Sequence, residues 1–366
     1  MDDHNFYMEK ALDLAKKGDG KVNPNPKVGT IIVKDNKIIG KGYHKYFGGP
    51  HAEVYALKEA GAKAKGATLY VTLEPCSHYG KTPPCAEAIV KAGITKVLIA
   101  MEDPNPLVRG KGIDILKENN IEVITGIMEK DSKKLNEVFI KYITKTEPFV
   151  VLKTASTLDG KIATKTGESK WITGVEARYK VHDIRNDLSG IMVGIGTILK
   201  DNPMLTTRID GGKDPKAIII DSKLRIPLEA KIIKTINGRN IYIATTKSHN
   251  NLCKKNELKK LGVKILELEE NEEGKVPLKK LMKLLGKEEI DSILLEGGST
   301  LNFSALKEDI VDKVMCFIAP KIIGGEDSKS MIGGTGVEDL KDAFNLNNLK
   351  IEKIGQDILI EGYLHE

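Results

Sequence analysis

Short apolar runs alternate with helix-like amphipathic segments along nearly the whole chain, and this rhythm constrains the fold more than any other feature. Strands separated by helices of that length point to a largely parallel sheet with helices on both faces. In the first half, Met8, Ala11, Leu12 and Ala15 fall at helical spacing, and Gly18 to Gly20 close that helix. VGTIIVKDNKIIGKGYH reads as two strands turning at Asp35-Asn36. HAEVYALKEAG, CAEAIVKAG and GIDILKENN read as helices, ATLYVTL, KVLIA and IEVITG as strands, and a helix is expected from about Asp131 to Lys145. Thr146-Glu147-Pro148 then interrupts the rhythm, because proline removes a backbone donor and disfavours helix in its predecessor. Two domains are therefore expected, 1–146 and 147–366. The second resumes with strands in FVVLKTAS, GIMVGI, KAIIIDS, NIYIATT, VKILEL, DSILLEG and DKVMCFIAP, and its end, LKIEKIGQDILIEGYL, reads as an antiparallel pair.

Charge and cysteine usage narrow the class. Against 57 Lys and Arg stand 51 Asp and Glu, and the resulting excess of +6 is scattered along the chain. That excludes a concentrated nucleic-acid footprint and is compatible with a phosphorylated substrate. Aromatic residues make up 5% of the chain, too few for the interleaved aromatics of an RNA-binding surface. No apolar run approaches the roughly 20 residues of a membrane span. The start, MDDHNFYMEKALDLAKKG, lacks a signal-peptide layout, and four cysteines fit reduced thiols, so a cytoplasmic setting is expected. The Lys-rich stretches at 253–264 and 275–287 read as solvated helix faces.

Chemistry enters with His51-Ala52-Glu53, then Pro75-Cys76 and Cys85. One imidazole and two thiolates supply three ligands for zinc and leave its fourth position open to water. Glu53 then serves as the proton shuttle between that water and a departing ammonia. His51 and Glu53 are expected in the first turn of one helix, and Cys85 at the start of another after Pro83-Pro84, where partial positive charge favours thiolate. A purely structural zinc module would close the coordination with a fourth ligand. The arrangement resembles the zinc deaminases of nucleobases, with their H-x-E and P-C-x-x-C pattern. Here eight residues, SHYGKTPP, separate the cysteines instead of two, which departs from the cytidine and transfer-RNA deaminases.

PCSHYGKTPPC, with NPNPKVG at 23–29 and GGPHAE at 48–53, resembles the bifunctional deaminase-reductases of riboflavin biosynthesis, and the likeness runs through nearly all 366 residues. It implies a cytidine-deaminase-like α/β/α domain followed by a dihydrofolate-reductase-like α/β domain that uses NADPH. It also implies zinc on His51, Cys76 and Cys85, with Glu53 as general acid and base. By the same resemblance Asn25, His44, His78, Lys81, Asp103 and Asn105 hold the pyrimidine and its ribose phosphate. Read on their own, Asn23 and Asn25 could equally be turn formers between prolines, and His78 a solvent-facing loop residue.

The second half has neither a P-loop nor a Rossmann glycine fingerprint. Gly194-Ile195-Gly196-Thr197 lacks the third glycine. In DSILLEGGSTLNFSAL a strand ends in Glu296-Gly297-Gly298, and Ser299 or Thr300 is expected to cap the next helix, whose N-terminus suits phosphate. LKTASTLDGKIAT, GESKWITG, VGIGTILKDNPMLTTR and LLEGGSTLN are spaced as in the reductase half of the family. The resemblance implies cofactor contacts at Ser156, Trp171, Thr197, Asp201 and Ser222. It implies a phosphate-binding turn made of Gly298, Ser299, Thr300, Leu301, Asn302, Phe303 and Ser304. Lys153, Ser169, Arg185, Leu205, Arg208 and Glu296 are implied to face the substrate. Arg185 and Arg208 are expected to grip its 5′-phosphate, guanidinium being suited to bidentate contact. Lys153 and Asp201 are expected to orient sugar hydroxyls and assist proton transfer, and Trp171 to pack on the cofactor. Ser156 stands where the family more often has Ala or Gly. Cys253 and Cys316 read as a surface thiol and a strand core residue.

The expected reaction is deamination of 2,5-diamino-6-(5-phosphoribosylamino)pyrimidin-4(3H)-one, then NADPH-dependent reduction of its ribosyl side chain to give 5-amino-6-(5-phosphoribitylamino)uracil. The expected partners are that phosphorylated pyrimidine and further copies of the chain in a homo-oligomer, with no nucleic acid and no membrane. A deaminase carrying a disabled second half is the nearest rival reading, with Ser156 as its footing.

Overall fold

A computed structural model of the protein describes residues 4–79, 83–249 and 251–365. It divides into two compact units, Met1–Thr146 and Glu147–Glu366.

In the first unit the described elements are α1 (His4–Ala15), β1 (Gly29–Lys34), β2 (Lys37–Tyr43), α2 (Ala52–Ala60), β3 (Thr68–Leu73), α3 (Cys85–Lys91), β4 (Lys96–Met101), α4 (Lys111–Glu118), β5 (Glu122–Thr125), α5 (Glu129–Leu135) and α6 (Glu137–Lys145). The strands form one sheet in the order β2-β1-β3-β4-β5. The β1/β2 and β1/β3 ladders are antiparallel and the β3/β4 and β4/β5 ladders parallel, so this sheet is mixed where the sequence suggested a largely parallel one. The reason is the tight turn at Asp35 and Asn36, both at positive φ, which returns β2 as a hairpin partner of β1. Strand alternation sends Ile32, Leu69, Val71, Val97 and Ile99 into one core with Ala56, Ala86, Ile89 and Leu116 from the helices. Ile31, Val33, Tyr70, Leu98 and Ala100 go to the other face, against Met8, Ala11 and Leu12 of α1. Each fully buried Ile or Leu there contributes about 1.5–3 kcal/mol. The helix expected over 131–145 is two helices that meet at Asn136. Its buried side chain accepts from the Lys27 amide at 2.8 Å and donates to the Lys27 carbonyl at 3.1 Å.

The second unit contains β6 (Phe149–Thr157), α7 (Val175–Asp187), β7 (Gly190–Gly194), α8 (Ile195–Asp201), β8 (Lys216–Ile220), β9 (Ile241–Thr246), α9 (Leu252–Lys260), β10 (Lys264–Leu268), α10 (Leu278–Lys287), β11 (Ser292–Leu295), α11 (Ser299–Lys307), β12 (Lys313–Ala319), β13 (Asn347–Ile354) and β14 (Asp357–Tyr363). The sheet order is β10-β9-β8-β7-β11-β6-β12-β14-β13. It is parallel from β10 to β12, and the C-terminal hairpin β13/β14 adds antiparallel to β12. Val150, Leu152, Met192, Ile218, Tyr242, Ile293 and Leu295 pack one face against α10 and α11. Ile191, Val193, Ala217, Ile219, Ile241 and Ile243 pack the other against α8 and α9.

Candidate active sites

In the first unit, two glycines let a helix come down onto the sheet. A Cβ at Gly42 would lie 2.2 Å from the Ala52 carbonyl, and one at Gly40 would lie 2.3 Å from that of Ala56. This approach fixes the start of α2, where His51 is the N-cap and Glu53 the second helical residue. Cys85 opens α3 behind Pro84. Cys76 follows β3 and is tied to Cys85, whose amide donates to Cys76 Sγ at 3.2 Å, while the Ala86 amide donates to the Cys76 carbonyl at 3.2 Å.

His51 Nδ1 lies 3.5 Å from Cys76 Sγ and 3.4 Å from Cys85 Sγ, and the three donor atoms fall within 4.8 Å of one another. Tetrahedral bonds of about 2.3 Å to sulfur and 2.0–2.1 Å to nitrogen place N and S about 3.5 Å apart, so the triangle fits zinc. The Cys85 thiol hydrogen bond and the His51 imidazole hold Cys76 as thiolate, lowered to about 4 against the effect of burial. Cys76 and burial push the Cys85 thiol up, and the hydrogen bond to Cys76 raises His51. Glu53 is 3% exposed, and its Oε2 has no hydrogen-bond partner. Burial pushes this carboxyl up to about 7, against the opposing pull of His51.

Two of the expected pyrimidine contacts touch each other. Asn25 Nδ2 donates to His44 Nε2 at 3.2 Å, and His44 Nδ1 donates to the Pro50 carbonyl at 3.0 Å. Burial lowers the His44 pKa, which matches the neutral ring that this pattern requires. The ring stands edge-on to His51 with centroids 5.7 Å apart. The expected Asp103 and Asn105 lie in the loop between β4 and α4, where Asp103 Oδ1 accepts from the Asn105 amide at 2.8 Å. His78 is exposed. Lys81 lies outside the described residues.

In the second unit, a cavity of 1210 Å³ is lined by Ser169, Thr197, Asp201 and Ser222 and by Gly298, Ser299, Thr300, Leu301 and Ser304. It lies beside β7, β8 and the start of α11. The α11 N-cap is Gly298, with no side-chain cap, so the expected capping by Ser299 or Thr300 does not occur; both are helical residues. An uncapped helix start leaves its first amides for a phosphate, and the cavity has room for a dinucleotide.

Other expected contacts depart from this cavity for identifiable reasons. Asn302 and Phe303 fall on the buried side of α11; Asn302 Nδ2 donates to the Met331 carbonyl at 2.9 Å, and Phe303 packs on Phe344. Ser156 is 1% exposed on the β6 face opposite Lys153, among Thr154 and the Cys316 thiol, so strand alternation turns its hydroxyl away from Lys153. Trp171 is exposed, and its ring is covered by the Arg178 guanidinium at 4.6 Å. Leu205 is buried at positive φ, so what it can offer a substrate is backbone.

Arg185 is engaged: Nε donates to Glu296 Oε1 at 2.6 Å, Nη2 to Glu296 Oε2 at 2.8 Å and Nη1 to the Thr206 carbonyl at 3.0 Å. Lys153 Nζ lies 3.8 Å from Glu296 Oε2 and forms an ion pair with it. Burial lowers the Lys153 pKa, helped by Arg185 and opposed by Glu296. Arg208 is exposed on the same loop as Leu205. Cys253 is exposed as expected, whereas Cys316 is half-buried beside Thr154 and Ser156. Sequence reasoning missed Arg239, whose buried guanidinium donates to the Leu205 carbonyl at 2.7 Å, the Pro215 carbonyl at 3.0 Å and the Met204 carbonyl. No local signal marks it, since those three carbonyls lie far away in sequence.

The chain matches two family models: the cytidine and deoxycytidylate deaminase zinc-binding region over residues 1–101, and the RibD C-terminal domain over 148–360. It is 46% identical to riboflavin biosynthesis protein RibD of Actinobacillus pleuropneumoniae, covering 97% of this chain and 94% of that one. It is also 46% identical to RibD of Aquifex aeolicus, covering 97% and 96%. Among solved structures, Acinetobacter baumannii RibD superposes with a TM-score of 0.88 at 40% identity over 98% of both chains. A diaminohydroxyphosphoribosylaminopyrimidine deaminase/5-amino-6-(5-phosphoribosylamino)uracil reductase from Thermotoga maritima gives 0.85 at 40% identity, again over 98% of both.

Proposed function

The chain belongs to the RibD family of riboflavin biosynthesis, a zinc-dependent deaminase joined to an NADPH-dependent reductase, and from that premise we propose how its residues divide the two reactions. The first unit deaminates 2,5-diamino-6-(5-phosphoribosylamino)pyrimidin-4(3H)-one. His51, Cys76 and Cys85 hold zinc, which when bound lowers the pKa of water towards 7. Glu53 moves the protons. Near-neutral carboxyls both accept and release a proton at working pH, and its Oε2 is uncommitted. Asn25, held in place by the neutral His44, presents its Oδ1 acceptor and its second amide hydrogen to the pyrimidine edge, together with Asp103 and Asn105.

The second unit reduces the deaminated ribosylamine, through its ring-opened imine, to the ribitylamine. NADPH, when bound, supplies the hydride. Thr197, Asp201, Ser222 and the start of α11 hold it in the cavity. Lys153, buried and easier to deprotonate than an ordinary lysine, delivers the proton to the imine nitrogen. Arg208 grips the 5′-phosphate, and Arg185 keeps Glu296 and the Thr206 carbonyl in place beside it. The resemblance also supports a cytoplasmic homo-oligomer, which light scattering on the purified chain tests.

The observation that carries the reading is the His51, Cys76 and Cys85 triangle with the unpartnered Glu53 oxygen beside it. The test follows ammonia release and NADPH absorbance together on the diaminopyrimidine substrate. Ammonia should appear first and NADPH loss second. Glu53→Gln should lower ammonia release by roughly 10²–10⁴-fold with zinc retained and reduction of the deaminated intermediate intact. Full ammonia release by this variant would overturn the assignment of Glu53.

A further inference from the structure

Glu74 is the third residue of the run TLEP, two residues before the zinc ligand Cys76, and is 5% exposed. No lysine or arginine pairs with it among the described residues; its bonds go to main-chain amides. Oε2 accepts from the Asp103 amide at 3.1 Å and the Gly110 amide at 3.0 Å. Oε1 accepts from the Gly112 amide at 2.9 Å and the Ile113 amide at 3.4 Å. Four donors from two ends of one loop thus converge on one buried carboxylate, two on each oxygen. The acceptor capacity of an ionised carboxylate meets that demand, and a neutral amide's single oxygen does not. Three of those amides belong to the start of α4, whose partial positive charge also favours an anion there. The packing leaves no slack: a Cβ on Gly112 would lie 2.0 Å from the Pro75 carbonyl and 3.2 Å from Glu74 Oε1.

We infer that Glu74 is a positioning residue of the deaminase, one that fixes the Asp103–Asn105 loop in register with the Cys76 side of the metal site. The inference rests on the reading that Asp103 and Asn105 touch the pyrimidine substrate. Glu74 touches neither substrate nor metal. It locks two segments together, β3 with its Pro75-Cys76 extension and the loop from Asp103 to Ile113. Base-edge recognition by a loop demands placement within a fraction of an ångström, so loosening that lock weakens substrate binding before it weakens chemistry.

Glu74→Gln keeps the size of the side chain and turns one acceptor oxygen into a donor facing two amide donors. In the full chain it should raise the deaminase KM by roughly tenfold or more while kcat changes far less. Zinc content should stay at the wild-type level, and reduction of the deaminated intermediate by the second unit should be unchanged. Gly112→Ala, which wedges the same junction from the other side, should give the same split between KM and kcat. It serves as the deciding variant if Glu74→Gln fails to fold. An unchanged KM with zinc bound overturns the inference, and so does loss of zinc with KM following it, because the carboxylate would then serve the metal loop and not the substrate loop. Asn105→Ala separates the two layers. If it raises KM and Glu74→Gln does not, only the positioning role falls. If Asn105→Ala leaves KM unchanged, the substrate reading of the loop fails and takes the inference with it.

Discussion

Arg185 and Glu296 form a two-point ion pair, with Nε on Oε1 at 2.6 Å and Nη2 on Oε2 at 2.8 Å, in side chains only 13% and 10% exposed. The pair joins α7 to the turn after β11, and Lys153 of β6 adds a second cation 3.8 Å from Glu296 Oε2. The sequence suggests two arginines converging on a phosphate. The fold spends the fork of one of them on a carboxylate, because a buried Glu296 flanked by Lys153 is costly without a guanidinium partner.

That pairing has a pH signature. Burial would raise the Glu296 carboxyl, but Arg185 and Lys153 outweigh it and hold the group at about 2. A folded-state pKa below the unfolded value near 4.5 means its stabilisation is complete above that value and disappears as pH falls towards 2. Urea midpoints measured from pH 7 to pH 2 should drop through this window in the wild type. In Glu296→Gln the drop should be shallower, from a starting point already lowered by a few kcal/mol because Lys153 and Arg185 lose their partner. Parallel curves for the two proteins would contradict the assignment.

Arg208 is exposed on its loop, and the proposed division of roles gives it the substrate phosphate. Arg208→Ala should raise the reductase KM for the phosphorylated intermediate by roughly 10–100-fold, the range of a lost charge-assisted contact. The same substrate after phosphatase treatment should be handled alike by both proteins. A variant that loses equally on both substrates would place Arg208 elsewhere.

Zinc removal should separate the halves. Dialysis against a strong chelator, or Cys85→Ser, should abolish ammonia release and leave NADPH oxidation with the deaminated intermediate intact, because His51, Cys76 and Cys85 all belong to the first unit. Added zinc should restore the chelated wild type and not Cys85→Ser. Joint loss of both activities, measured on the intermediate, would show that the reductase depends on the metal.

Gly42→Ala tests how α2 is seated. The new methyl meets the Ala52 carbonyl at 2.2 Å, so the helix start must move, at a cost of about 1–3 kcal/mol. Because His51 and Glu53 ride on that start, deaminase activity and zinc affinity should fall further than thermal stability predicts, with reduction unaffected. A stable variant with full zinc affinity would show that α2 is held by other contacts.

Local chemistry and rhythm could be read from the order of residues alone. The alternation of strands and helices, the hairpin turn at Asp35-Asn36 and the His51, Glu53, Cys76 and Cys85 set were legible there. Each depends on residue type at short spacing, and covalent geometry then places His51 and Glu53 at one helix start and Cys85 at another. Which groups meet across long separations emerged only with the folded chain. The break of the last helix of the first unit at Asn136 follows from a clamp on Lys27, distant in sequence. Asn302, Phe303 and Ser156 do not line the cavity of the second unit, because packing chooses which side of a helix or strand is buried. Arg185 takes Glu296, and Glu74 takes four amides, because buried polar groups must find partners wherever the fold brings them. No periodicity or motif encodes a partner that exists only once the chain has closed on itself.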